Sequence, residues 1–236
     1  MRNLNRSSRN WNQIRDLRIT PGFCPASSGS VLIEMGNTRV ICAASVDTDV
    51  PDHAASKGKG WLTAEYSLLP YSTGRRTGRP LLKRDGRAVE IQRLLGRSLR
   101  MALDLGRIPG FAITIDCDVL QADGGTRCAA ITGGYLALKQ AVRGMMEQGL
   151  VTDYPMTAEI AAVSAGVVQG RMLLDLDYSE DSRADVDLNL VMDGRLNLIE
   201  IQGTGEKAVF SVKDLNSLVE LAAEGIQAIL EIQRKY

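Results

Sequence analysis

The spacing of apolar positions changes along the chain and divides it into strand-like and helix-like stretches. Residues 30–34 and 38–46 alternate apolar and polar side chains, the period of a half-buried strand, and Gly36 with Asn37 between them gives a hairpin turn. Residues 61–69 and 112–120 read the same way, the second with β-branched Ile113, Thr114, Ile115 and Val119. A short strand is expected at Arg18, Ile19 and Thr20. Over residues 88–105 the period lengthens to that of a helix. Val89, Leu94 or Leu95, Leu99 and Leu103 make its apolar stripe, while Arg93, Arg97 and Arg100 share another face. Small apolar residues from Ala129 to about Gln148 predict a helix packed tightly on a sheet.

The second half repeats that order without a sequence repeat. Strands are expected over residues 156–168 and 171–176 around Gln169 and Gly170, then over 186–192 and 197–202 around Asp193 and Gly194. A helix over residues 212–234 closes the chain, with Asp214 early and Arg234 and Lys235 late, as the helix dipole prefers. Runs of strands followed by helices predict an α+β class.

Residues 1–15 are polar and basic and predict an extended arm; residues 71–85 are rich in Gly and Arg, lack a hydrophobic period, and predict a mobile basic loop. The N-terminus has no apolar stretch after its basic residues, and no run approaches a membrane span, so a cytoplasmic protein without membrane contact is expected. Cys24, Cys42, Cys117 and Cys128 form no C-x-x-C pair and His53 is the single histidine, which disfavours a zinc site. Cys42 and Cys117 lie in apolar strands and read as inert core thiols.

Charge sharpens the picture. The net charge is zero, yet residues 75–107 hold ten basic residues against three acidic, and residues 145–236 hold seven against sixteen. Such segregation points to a polyanionic partner on the basic side. The acidic half is compatible with a divalent cation or with solubility alone.

Candidate chemistry concentrates at two places. After the strand at 112–120 come Asp123, Gly124, Gly125, Thr126 and Arg127, then the helix. Glycines let backbone amides approach an anion, the first helical turn offers unpaired donors, and Thr126 and Arg127 add a hydroxyl and a forked cation. An ordinary turn with Asp123 as helix N-cap is the competing reading, and a capping carboxylate there would oppose an anion. The second place is the acidic pair Asp181 and Asp187, the latter opening a strand with Asn189 and Val191 at even spacing. Two such carboxylates can hold Mg²⁺ or a transferable proton, or can simply cap and solvate a turn. Glu180 and Asp185 read as supporting or solvated neighbours.

Three segments together resemble the ribonuclease PH family of phosphate-dependent 3′-to-5′ exoribonucleases: QADGGTR with its A-x-I-T-G continuation, GRAVEIQRLLGRSLR at residues 86–100, and EDSRADVDLN at residues 180–189. The resemblance covers nearly the whole chain. It implies a single ribosomal protein S5 domain 2-like fold over residues 1–236, a mixed sheet with packed helices. It implies that Arg87, Gly125, Thr126 and Arg127 hold inorganic phosphate as co-substrate. Asp181 and Asp187 become the catalytic or Mg²⁺-holding carboxylates, and Arg75, Arg76, Arg79 and Arg93 face RNA. It further implies trimming of tRNA 3′ ends and a homohexamer built as a trimer of dimers. Two segments depart from the family: the basic loop looks about two residues shorter, and Asn5, Arg6, Ser7, Ser8 and Arg9 stand where R-x-D-G-R is usual. A non-catalytic RNA-binding ring subunit is the alternative, disfavoured by the retention of both Arg127 and Asp187. A phosphate-binding enzyme unrelated to RNA is disfavoured by the density of cations around residues 75–107.

Overall fold

The alternating stretches form two sheets in the computed structural model, which describes residue 6 and residues 9–78 and 86–236. In the first, β1 (Leu17–Pro21), β2 (Gly29–Met35) and β3 (Thr38–Asp47) make an antiparallel meander. A short helix, α1 (Asp52–Ala55), leads to β4 (Trp61–Leu68) and then α2 (Gly86–Arg100). β5 (Ala112–Gln121) pairs antiparallel with β3 and parallel with β4, so this five-stranded sheet is mixed, in the order β1-β2-β3-β5-β4. α3 (Thr126–Glu147) follows. The second sheet is antiparallel throughout: β6 (Ile160–Val168), β7 (Arg171–Leu174), β8 (Val186–Asp193) and β9 (Leu198–Gly205) in the order β7-β6-β8-β9. α4 (Tyr178–Asp181) sits between β7 and β8, and α5 (Val212–Gln233) closes the chain.

α3 joins the halves. Every residue from Cys128 to Leu138 is buried, which is the pattern of a helix covered on all sides. It packs on β2 and β3 of one sheet and on β6 of the other. Small side chains permit the approach: a Cβ at Gly133 would lie 2.7 Å from Cys42 Sγ and 2.8 Å from Ile33 Cγ2. The Gln233 amide at the end of α5 donates to Thr132 O (3.1 Å) and Ile160 O (3.2 Å), fastening that helix to α3 and β6. Cys42 and Cys117 are free, buried thiols in register across β3 and β5.

Several boundaries differ from the sequence pattern. α2 ends at Arg100 rather than near Leu105, because Leu103 bridges to Met156 and Asp104 caps a 3₁₀ turn by accepting from Gly106 N. Met156 is used in that bridge, and the strand expected from it begins only at Ile160. The basic residues of the arm are engaged by acids of the second half. Arg6 and Arg9 pair with Glu180 (2.6 and 2.9 Å), and Arg15 pairs with Asp175 (2.7 Å). Residues 79–85, with Arg79, lie outside the described residues. Among the described residues no helix is long and apolar enough to cross a membrane.

Candidate active site

The β5–α3 connection has the geometry of an anion cradle. Gly124 (φ 76°) and Gly125 (φ 65°) both adopt left-handed conformations, and Gly125 is the N-cap of α3 without a side-chain cap. The first intrahelical bond runs from Ala129 N to Gly125 O (3.0 Å), so the amides of Thr126, Arg127 and Cys128 precede the helical ladder. Asp123 is therefore not the cap that one reading of the sequence allowed. Its carboxylate accepts from Asn37 Nδ2 (3.1 Å), and two glycines separate it from the helix end. The loop carbonyls are engaged elsewhere: Arg15 Nη1 donates to Asp123 O (2.6 Å), and the Thr38 hydroxyl donates to Gly124 O (2.6 Å).

Thr126 is oriented by a partner that the sequence did not single out. The Tyr66 hydroxyl lies 2.8 Å from Thr126 Oγ1. Burial raises the Tyr66 pKa, which keeps its proton in place, so Tyr66 donates and the Thr126 proton remains available to an acceptor in the cavity. Arg127 Nη1 donates to Gln202 Oε1 on β9 (2.8 Å) and lies 3.9 Å from Glu90.

The second sheet supplies the acids. Asp187 and Asn189, two apart on β8, project on one face, and Asn189 Nδ2 donates to Asp187 Oδ2 (3.0 Å). Cys128 Sγ donates to Asn189 Oδ1 (3.4 Å) in turn. Asp181 ends α4, whose N-terminus is closed by a capping box between Asp177 and Glu180. Glu180 is 2% exposed, not solvated, and carries the Arg6 and Arg9 ion pairs directly behind Asp181. Burial, and after it the Asp181 carboxylate, push Asp187 up to about 6. Burial also raises Asp181, against the opposing pull of Arg87 and Arg127.

These parts line one cavity of about 420 Å³, a size suited to a nucleotide. Arg75, Arg87, Gly125, Thr126, Arg127, Asp181 and Asp187 all border it, as do Ser164, Tyr178 and Asn189. Arg76 is exposed beside it. Arg93 is not in this cavity; it lines a separate groove along β4 and α2 with Gln92, Arg97 and Arg100. Tyr66, Ser164, Gln202, Tyr178 and Arg15 were missed in the sequence. Only Tyr66 left a signal, the inward register of Leu62, Ala64 and Tyr66 along β4.

The sequence profile of the 3′ exoribonuclease family, domain 1, matches residues 13–143, and that of domain 2 matches residues 158–225. The chain belongs to this family. Among 3′ exoribonuclease relatives, it is 51% identical over 229 residues to Ribonuclease PH of Syntrophomonas wolfei, covering 96% of each chain. It is 50% identical over 224 residues to Ribonuclease PH of Corynebacterium glutamicum, covering 94% of this chain and 91% of that one. The resemblance carried by the three sequence motifs is thus borne out. The fold is also that of rice (Oryza sativa) Rrp46, with a TM-score of 0.80 at 22% identity over 97% of each chain. It is likewise similar to a chain of the Archaeoglobus fulgidus exosome with RNA bound to the active site, with a TM-score of 0.80 at 21% identity over 95% and 91% of the two chains.

Proposed function

We infer that the protein is a phosphate-dependent 3′-to-5′ exoribonuclease that trims RNA 3′ ends, tRNA precursors among them, and releases nucleoside diphosphates. The observation that carries this reading is one cavity bordered by both an anion cradle and two carboxylates of raised pKa. An oxygen of inorganic phosphate attacks the phosphorus of the terminal nucleotide. A new P–O bond forms, the bond to the penultimate 3′ oxygen breaks, and that oxygen takes a proton. Both reactants are anions, so charge masking and alignment supply most of the catalysis. Arg87, Arg127, the Thr126 hydroxyl and the amides following Gly125 would hold the attacking phosphate. Asp187, half protonated near pH 6, would serve as the proton donor, with Asp181 the other candidate.

Mg²⁺ fits the donors on this cavity. Among the described residues no cluster of three or more His, Cys, Asp or Glu side chains could hold a metal. Mg²⁺ is commonly held by one or two carboxylates together with substrate phosphates and water, and Asp181 and Asp187 supply that number. When bound it would neutralise charge on the phosphoryl oxygens.

Arg75, Arg76, Arg79 and Arg93 would grip the RNA backbone. We further propose that residues 1–236 form one domain, as the packing of α3 on both sheets supports. The proposed assembly is a homohexamer, a trimer of dimers, in the cytoplasm. Leu198 and Ile201, exposed on the edge strand β9, are the kind of surface a neighbouring subunit covers. The test is incubation with a 3′-extended tRNA with and without phosphate. Diphosphates released only with phosphate support the reading; monophosphates released without it indicate a hydrolase, and RNA binding without release indicates a non-catalytic ring subunit.

A further inference from the structure

We propose that the ring of Tyr178 is the platform on which the 3′-terminal nucleobase stacks; this rests on the exoribonuclease reading above. Tyr178 borders the cavity that contains Asp181 and Asp187, and it is 64% exposed. Tyr66, by contrast, is 4% exposed and its hydroxyl is committed to Thr126. Tyr178 opens α4 and Asp181 ends it, three residues later, so both project from one side of the same turn. The Tyr178 backbone also abuts the phosphate cradle: a Cβ at Gly124 would lie 2.8 Å from Tyr178 N. The backbone that carries the ring is thereby held beside both the anion site and the acids, one helical turn from the proposed chemistry.

The remaining lining explains why an aromatic face is needed. Apart from the aliphatic Leu68 and Ala122, which have no π face, the other groups that border the cavity are cations, carboxylates, hydroxyls, an amide and the backbone of glycines, suited to phosphate and ribose. An enzyme that removes successive nucleotides must accept every base. Stacking does this without reading base edges, because each base presents a π face. The Asp177–Glu180 box, with Glu180 clasped by Arg6 and Arg9, holds the backbone of the short helix from which the ring projects.

The test uses the full chain with oligoribonucleotides that end in a normal or an abasic 3′ residue. On normal ends Tyr178→Ala should raise the KM for RNA roughly tenfold, leave the KM for phosphate unchanged, and act alike on all four bases. Tyr178→Phe should retain the wild-type KM, since the face and not the hydroxyl is used. On abasic ends wild type and Tyr178→Ala should coincide. An equal loss on normal and abasic ends, or a loss with Tyr178→Phe as large as with Ala, overturns the assignment. Wild-type protein that releases no diphosphate from normal ends would defeat the exoribonuclease reading itself. Active wild type with an unaffected Tyr178→Ala variant would defeat only the stacking platform.

Discussion

Arg15 and Asp175 meet through three buried hydrogen bonds, Nε to Oδ2 at 3.0 Å, Nη2 to Oδ1 at 2.7 Å and the Arg15 backbone N to Oδ2 at 2.8 Å. The same guanidinium donates to the carbonyls of Asp123 and Gly124, so one side chain ties the glycine loop before α3 to the segment leading into α4. Burial alone would raise the Asp175 pKa, but the charge and hydrogen bonds of Arg15, with Arg9 beyond, hold it below the usual carboxylate range. Asp175→Asn keeps a residue tolerant of the left-handed φ of 52° but strands the Arg15 charge. It should cost about 3–5 kcal/mol in urea unfolding at pH 7. In wild type this carboxylate's contribution is fully present above the unfolded pKa of about 3.9 and is lost as pH falls through the lower folded value. The variant and wild type should therefore converge in acid; a constant gap down to pH 2 would refute the electrostatic account.

Asp187 carries the opposite sign. Its folded pKa of about 6 exceeds the unfolded value, so the folded state binds more protons across the window between them. Its ionisation therefore costs stability as pH rises from about 4 to 6. Asp187→Asn should remove that cost, raising stability at pH 7 by on the order of 1–2 kcal/mol, with no gain at pH 4. The same variant should lose turnover while keeping RNA affinity within a few-fold. Thermal melts across pH, alongside rate and binding assays, check both. Loss of stability at pH 7 would make Asp187 a structural residue.

The cations should separate into two sets. If Arg127 holds the attacking phosphate as proposed, Arg127→Ala should remove a charge-assisted hydrogen bond worth about 1.5–3 kcal/mol, and raise the KM for phosphate or lower the rate at every phosphate concentration. Arg75→Ala with Arg76→Ala should instead weaken RNA binding for all sequences alike and flatten the salt dependence by about 0.7 in slope for each RNA phosphate left without its cation. RNA affinity over a salt series and rate over a phosphate series, measured on both variants, decide the matter. A reversed pattern means the two sets have been exchanged.

Gly124 can be tested by one methyl group. A Cβ there would lie 2.5 Å from Leu176 O and 2.7 Å from the Asp177 carbonyl carbon, at a φ of 76°. Gly124→Ala should therefore push the α4 segment away from the cradle and lower kcat at least tenfold, beyond a backbone cost of about 1–2 kcal/mol in stability. Rates and unfolding curves for this variant and for wild type make the comparison. Wild-type kcat in Gly124→Ala would show that the close approach is unnecessary.

Periodicity and spacing are local properties, and the sequence by itself determined what depends on them. The alternation in β2, β3 and β5, the helical stripe of α2, the small-residue face of α3 and the glycine turn before Thr126 all follow from residues within a few positions of one another. Asp187 and Asn189 were also legible, because period two puts them on one face of β8. Tertiary structure decided the rest. Arg15 and Asp175 are separated by 160 positions, and Arg6 and Glu180 by 174, so no local pattern in the basic arm pointed to the acids that folding brings to it. Arg97 likewise finds its partner far along the chain: Glu200 reaches it from β9 at 2.8 Å. The hydroxyl that orients Thr126 comes from Tyr66 on a parallel neighbour strand, at a distance no local rule encodes. Raised carboxylate pKa values belong to this second group, because they arise only when folding withdraws Asp181 and Asp187 from water and sets them on one cavity.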